Sequence, residues 1–249
     1  MRKPYALPVA ALLTLLPLVS FGQETKQVNV KSQNPWQREE YSVLKSDPKV
    51  KHGLYRGYVG GAREVLAMEG YYTNGQKDSL WTLYNRWSNK PELQARGRYQ
   101  QGQKVGVWEY YAGKNELEQR YDHTRGQLLL HKADEKSKIT FTPVGTSAAL
   151  EREAVYIGGI TTVMNFIGTN VRYPVDALRA QKSGTVRIAF TIAPDGSVSN
   201  YRVAKSAFAS LDEESLRVIK LVPATWVPAQ AAGQPVAVEC EIPVVYTVR

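Results

Sequence analysis

The feature that most constrains the fold is a repeat in the middle of the chain. Residues 68–85 (MEGYYTNGQKDSLWTLYN) align with residues 95–112 (ARGRYQQGQKVGVWEYYA) at an offset of 27 residues. The identical pairs are Gly70/Gly97, Tyr72/Tyr99, Gly75/Gly102, Gln76/Gln103, Lys77/Lys104, Trp81/Trp108 and Tyr84/Tyr111. A weaker third copy lies at residues 51–58 and a fourth fragment at residues 120–129. Self-similarity at such a period is typical of stacked supersecondary units.

Each copy predicts two short strands joined by a turn. The pattern is aromatic-x-x-Gly-x-Lys followed by Gly-x-aromatic-x-x-aromatic, and glycine supplies the positive φ that tight turns need. Because a single hairpin cannot bury its own apolar face, the copies are expected to stack into a meandering sheet. We therefore predict an all-β repeat domain of hairpins over residues 40–130. Residues 51–112 resemble the bacterial variant of the MORN-like repeat family.

The aromatic residues of the repeats permit two interpretations. With the interleaved basic residues they could bind glycan or phosphate, and those residues are Lys77, Lys104, Arg86, Arg96 and Arg98. Aromatic residues at fixed offsets more often form the stacking core of a repeat. We favour the structural interpretation.

The last residues, VAVECEIPVVYTVR (236–249), predict a long half-buried strand. Apolar residues occupy every second position from Val236 to Val248, which is the period of a strand with one buried face. Pro243 lies in the middle of this strand, and proline is confined to edge strands, first positions or bulges. We therefore predict that one side of the terminal strand is unpaired.

The region before the terminal strand predicts three helical segments and a hairpin. The apolar spacing of residues 160–171 indicates a helix that ends before Pro174, and Pro174 can open a second helical turn over residues 174–181. Residues 184–203 indicate a β-hairpin. In residues 210–222, Ser210 and Glu213 have the spacing of a helix capping box. We predict an α+β domain over residues 151–249, with a three-stranded antiparallel sheet and helices on one face, and we interpret residues 131–150 as a linker or short strand.

The C-terminal residues resemble the C-terminal domain of the TonB family. The resemblance covers about residues 154–249. It is carried by Tyr173-Pro174, Ala177, Gly184-Thr185-Val186, Asp195-Gly196, Val203, Ser206, Leu211-Asp212, Trp226, Pro228-Ala229, Gly233, Pro235-Val236 and Ile242-Pro243-Val244. It implies a periplasmic domain that adds an extended segment of an outer-membrane TonB-dependent transporter, or of a similar envelope protein, as a strand beside its own last strand.

The expected partner-binding residues lie on the terminal strand and just before the second helix. They are Val238, Glu239, Glu241, Ile242, Val244, Val245, Tyr246, Thr247, Asn170, Arg172, Tyr173 and Pro174. Pro243 removes one hydrogen-bond donor, so the partner is expected to pair mainly on one side of it. The chain departs from the full-length family pattern, because aromatic repeats stand where a long Pro-rich spacer is expected.

Residues 1–22 have the pattern of a cleavable signal peptide. Arg2 and Lys3 precede an apolar run from Ala6 to Val19, and small residues precede the expected cleavage site before Gln23. This pattern predicts a periplasmic protein; the alternative is an inner-membrane anchor that leaves the chain facing the periplasm. The formal net charge of +9 suits an envelope rich in anionic polymers and lipids, so peptidoglycan and anionic lipid are alternative partners. Because no Lys/Arg block stands out, we favour the interpretation that the basic residues form a solvated face.

The sequence predicts no enzyme, cofactor, metal site or nucleic-acid partner. His52, His123 and His131 are scattered without further ligands at metal spacing. The single cysteine, Cys240, excludes an internal disulfide and is expected to be a small core residue. The alternative function is an envelope scaffold without an energy-transducing role, in which the repeats bind cell wall or protein partners and the C-terminal domain pairs with itself as a homodimer.

Overall fold

The fold is that of a computed structural model, which describes residues 23–33, 36–60, 63–88, 90–133 and 137–248. The predicted signal peptide therefore lies outside the described residues. Among the residues that are described, no helix is long and apolar enough to cross a membrane.

The N-terminal half is one antiparallel sheet. Over the described residues the sheet has nine strands, and their order in space is their order along the chain. The strands are β1 (Thr25–Gln33), β2 (Trp36–Leu44), β3 (Lys51–Val59), β4 (Val65–Thr73), β5 (Gln76–Tyr84), β6 (Leu93–Gln100), β7 (Gln103–Ala112), β8 (Glu116–Asp122) and β9 (Gln127–His131). A short 3-10 turn at Gly113–Asn115 joins β7 to β8. The sheet agrees with the predicted meander of hairpins and extends it to Thr25.

The repeated glycines and tryptophans are partners across neighbouring strands. A Cβ atom added to Gly70 would lie 2.2 Å from the indole of Trp81, and one added to Gly97 would lie 2.2 Å from the indole of Trp108. Both indoles are fully buried. Each Nε1 donates, at 3.0 Å, to the carbonyl of the residue that follows its glycine. Because the ring lies on the glycine backbone, no larger residue fits at these two positions.

The repeated lysines cover the same two rings. The ammonium nitrogens of Lys77 and Lys104 each lie 4.3 Å from the ring centroid, over Trp81 and Trp108 respectively. Burial lowers the pKa of Lys104 to about 8. A contiguous aromatic cluster thus forms on one face of the sheet, which supports the structural interpretation of the repeat aromatics.

The C-terminal half contains three helices and a second sheet. The helices are α1 (Gly159–Asn170), α2 (Val175–Arg179) and α3 (Ala209–Lys220). The strands are β10 (Thr140–Pro143), β11 (Val155–Tyr156), β12 (Gly184–Ile192), β13 (Val198–Lys205), β14 (Trp226–Val227), β15 (Ala229–Ala231), β16 (Gln234–Val236) and β17 (Val238–Tyr246). The helices pack on one face of the sheet and share a single apolar core with β12 and β17, as predicted.

Two predictions for this half are wrong. The main sheet has four strands rather than three over the described residues, in the order β10-β17-β12-β13. The added strand is β10, which has too few alternating apolar positions for periodicity to identify it. Ser210 is not a helix cap, because α3 begins at Ala209 and the carboxylate of Asp212 accepts the N–H of Ala207 at 3.0 Å.

The two halves meet at β8. The side chain of Gln119 is fully buried; its Nε2 donates to the carbonyl of Tyr156 at 2.9 Å, and its Oε1 accepts the N–H of Gly158 at 2.7 Å. Beside it, the carboxylate of Glu118 accepts the N–H of Ile160 at 3.1 Å and so caps the start of α1. The repeat sheet therefore fixes the entry into the C-terminal half.

Candidate docking edge of the C-terminal sheet

β17 is the strand that carries most of the predicted partner-binding residues. Its side chains alternate as predicted: Val238, Ile242, Val244 and Tyr246 are buried in the core, and Cys240 lies among them. Burial also raises the pKa of the Cys240 thiol well above its ordinary value, which agrees with a core role. The side chains on the opposite face are the ones that remain open to a partner.

The backbone N–H and C=O groups of β17 also alternate in direction along the strand. β12 pairs with all of β17 on one flank, from Ile192 opposite Val238 to Gly184 opposite Tyr246. On the other flank the N–H of Val144 donates to the carbonyl of Ala237 at 2.9 Å. Since hydrogen-bonding pairs alternate along an antiparallel ladder, odd-numbered residues of β17 direct their backbone groups to this outer flank and even-numbered residues direct theirs to β12.

This alternation divides the predicted residues into two groups. The even-numbered ones bury their side chains and give their backbone groups to β12, so they support the edge without facing a partner; these are Val238, Ile242, Val244 and Tyr246. The odd-numbered ones carry the outward backbone groups; these are Glu239, Glu241 and Val245, while Thr247 follows the last residue of β17.

The outer flank of β17 is not free along its whole length, which corrects the prediction of one unpaired side. β10 pairs with it in antiparallel register, with Thr140 opposite Glu241 and Pro143 opposite Val238. The outward groups of Glu239 and Glu241 are therefore already in use. Pro143 lies at a position that needs no N–H, because hydrogen bonds form at the neighbouring positions.

The C-terminal half of β17 remains open. Beyond Pro243, no strand lies beside the outer flank in the part of the chain that the structure describes. Val245 is the next residue with outward backbone groups, and 63% of its surface is exposed. The open stretch of the strand therefore runs from Pro243 to Tyr246, the last residue of β17.

Tyr173, from the predicted segment Asn170–Pro174, contacts the last residue of β17. The ring of Tyr173 packs edge-on against that of Tyr246, with centroids 5.5 Å apart. The carboxylate of Glu214 on α3 accepts the N–H of Arg172 at 2.6 Å, and the hydrogen bond from a neighbouring arginine holds the pKa of Glu214 below its ordinary value. The structure thus brings Asn170, Arg172, Tyr173 and Pro174 to the Tyr246 end of β17, at the opposite end from Val238.

The outer face of the sheet is electrically balanced beside the edge. Arg187 Nε donates to the carboxylate of Glu241 at 2.8 Å, and Arg202 Nη2 donates to that of Glu239 at 2.7 Å. Both pairs are partly exposed, so their contribution to stability is small. A strand added at this edge would meet neutralised ion pairs rather than a charged stripe.

Two features of the edge were not predicted from the sequence. One is the pairing of β10 with β17: the alternation of Ile139, Phe141 and Pro143 with two threonines agrees with the short strand that is one interpretation of this segment, but it does not say where such a strand pairs. The other is Arg187, whose Nη2 reaches across β17 to the carbonyl of Lys138 at 3.1 Å. Nothing in the local sequence distinguishes this arginine from a solvated one.

The remaining candidate groups among the described residues are metal ligands and histidines. Among them, no three His, Cys, Asp or Glu side chains are grouped as metal ligands. His123 is instead part of the repeat core, where its Nε2 and the hydroxyl of Tyr110 form a hydrogen bond of 2.8 Å.

The C-terminal half is similar to known TonB domains. Residues 169–248 match the family described as Gram-negative bacterial TonB protein C-terminal. Two NMR solution structures of the Helicobacter pylori TonB C-terminal domain are also similar. One is 27% identical over 36% of this chain and 80% of its own, with a TM-score of 0.28; the other is 28% identical over 35% and 91%, with a TM-score of 0.27. Comparison with curated proteins gives no significant match.

The family match confirms the resemblance inferred from the sequence for this half of the chain. The resemblance of residues 51–112 to MORN-like repeats stays a prediction.

Proposed function

We propose that this chain is a TonB-type protein of the cell envelope that binds an extended segment of an outer-membrane transporter, or of a similar envelope protein, by strand addition to β17. The proposal rests on the match of residues 169–248 to the TonB C-terminal domain and on one observation: the outer flank of β17 is open from Pro243 to Tyr246 over the described residues. Main-chain hydrogen bonds would supply affinity, and alternate side chains would fix the register.

Tyr173 and Val245 define the expected contact surface. Val245 offers an outward N–H and carbonyl, and Tyr173 packs against Tyr246 at the end of the strand. A partner strand would thus pair with the stretch after Pro243, where no ladder donor is missing. We further propose that the protein acts in the periplasm after export by the predicted signal peptide, without enzymatic activity or a cofactor.

Cysteine cross-linking tests the proposal, because the native Cys240 is buried and the chain contains no other cysteine. Val245→Cys places an accessible thiol on the open flank. It would be mixed with synthetic peptides from the periplasmic ends of outer-membrane transporters, each carrying one cysteine at successive positions. Strand addition predicts disulfides at every second peptide position, since side chains alternate along a strand.

Leu221→Cys is the matched control, because Leu221 is 50% exposed at the end of α3 and belongs to no strand of the sheet. Equal and non-alternating cross-linking of the two variants would contradict strand addition.

A scaffold function is the second candidate. It is favoured by the observation that β10 already pairs with the first half of the β17 edge, so less of the edge is available than a full-length docking strand would use. In this function the repeat sheet, not β17, would contact cell wall or protein partners.

A further inference from the structure

The strand β10 occupies the outer flank of β17 in the manner of an added strand. It comes from residues 140–143, far from β17 along the chain, and it pairs only with β17 in the described part of the structure. The Val144–Ala237 hydrogen bond fixes its register. Hydrogen-bonding pairs alternate along an antiparallel ladder, so the next such pairs are Thr142 with Glu239 and Thr140 with Glu241.

The side chains of this segment divide between the two faces of the sheet. Thr140 and Thr142 point outward and are exposed, whereas Phe141 and Ile139 are partly buried against the core cluster. The ring of Phe141 packs edge-on against Trp226, with centroids 6.2 Å apart. A single aromatic anchor and four paired residues thus hold β10 in place.

Pro243 explains why β10 stops where it does. The next hydrogen-bonding pair in this register would join Lys138 to Pro243, and proline has no N–H to donate. The carbonyl of Lys138 instead accepts from Nη2 of Arg187 at 3.1 Å. The arginine side chain therefore replaces the missing backbone donor and closes the end of the pairing.

We propose that β10 is an intramolecular occupant of the docking edge, which an extended segment of the partner protein displaces when it binds along the whole of β17. This inference rests on the proposed function and adds a regulatory step to it. In the absence of the partner, the segment around Phe141 covers residues 237–241 and leaves only the stretch after Pro243 open. A partner strand could pair first with that stretch and then replace β10.

The contacts of β10 also indicate which partner segment fits. An apolar residue must take the place of Phe141 against Trp226, and a second apolar residue two positions away must take the place of Ile139. In the places of Thr140 and Thr142, small uncharged residues fit best, because the opposite residues Glu241 and Glu239 are already paired with arginines. A proline is tolerated in the place of Pro143. The partner segment is therefore an alternating, uncharged, extended peptide.

The test uses the full chain and a fluorescent peptide with the sequence of residues 137–145 (SKITFTPVG). Thr142→Pro removes the backbone N–H of β10 opposite Glu239, while Thr142→Val keeps that N–H and the strand preference. Thr142 is exposed, so neither change alters the core. We expect the peptide to bind the Thr142→Pro chain at least tenfold more tightly than the Thr142→Val chain, because only the former vacates the edge.

Hydrogen exchange locates the binding. In the Thr142→Pro chain the amides of Glu239 and Glu241 should exchange faster than in the Thr142→Val chain, and the peptide should restore their protection. Equal peptide affinity for the two chains, or binding that leaves these two amides unchanged, would overturn the inference.

The outcomes separate this inference from the proposed function. In one outcome, the peptide binds and restores protection while the transporter peptides give no alternating cross-links to Val245→Cys. That result would support β10 as an occupant of the edge and reject transporter segments as the partner. Alternating cross-links without any effect of Thr142→Pro would support the partner and reject the occupant.

Discussion

At the scale of single residues, the repeat is held by contacts that explain why the same residue types recur. Gly97 lies on β6 directly opposite Trp81 and beneath the indole of Trp108. The indole can hydrogen-bond the carbonyl beside Gly97 only because no side chain intervenes. The glycines leave the space that the indoles occupy, so they determine the packing of this cluster as much as the aromatic rings do.

Gly97→Ala should destabilise the protein by about 1–3 kcal/mol, the range for overpacking a buried site. The added Cβ would lie 2.2 Å from Trp108, so the indole must move and lose its hydrogen bond. Urea unfolding followed by tryptophan fluorescence measures the change. Gly113→Ala is the control, since a Cβ there meets nothing within 4 Å. An equal effect of both substitutions would contradict the packing argument.

At the scale of elements, the sequence predicted the strands whose apolar or motif pattern repeats several times, and it left open the strands whose pattern is short. The meander follows from paired motifs at a fixed offset, and β12 and β17 each alternate over nine residues. β10 has only four residues, and its place is decided by a long-range pairing with β17 that no local pattern encodes. The sequence therefore predicted β17 as a long strand with one buried face, but the pairing of β10 along part of its outer flank could not be predicted.

The pairing of β7 with β8 should depend on pH through His123. The ring lies 4.9 Å from that of Tyr121 and near Lys104, and burial followed by this positive charge lowers the pKa of His123 to about 4. The unfolded chain, with a histidine pKa near 6.5, then binds more protons between these values. The stability that neutral His123 contributes above pH 6.5 is lost as the pH falls through about 4.

His123→Gln removes this titration. The difference in unfolding free energy between the native chain and the variant should shrink by about 1–2 kcal/mol from pH 7.5 to pH 4.5, after allowance for solvent screening. Urea titrations at both pH values measure it. A difference that stays constant over this range would show that His123 is not the titrating group.

At the scale of the whole molecule, the chain has two cores that are joined by the buried amide of Gln119, by the hydrogen bond of Glu118 to Ile160 and by the packing of Ile157 against the aromatic cluster. The repeat sheet has its own aromatic cluster and the C-terminal half its own apolar core. Gln119 connects them by hydrogen-bonding both sides of the turn before α1. Since β9 leads within a few residues to β10, the position of the repeat sheet also bears on the segment that covers the docking edge.

Gln119→Leu should weaken the coupling of the two halves. Leucine fills a similar volume but leaves the carbonyl of Tyr156 and the N–H of Gly158 without their partner, at a cost of about 2–4 kcal/mol. We expect calorimetry to show one cooperative transition for the native chain and two for the variant, because each half retains its own core. Gln127→Leu, at an exposed position on the adjacent β9, should unfold like the native chain. A single transition in Gln119→Leu, with the ratio of calorimetric to van't Hoff enthalpy unchanged, would mean that packing at Ile157 and Glu118 is enough to join the halves.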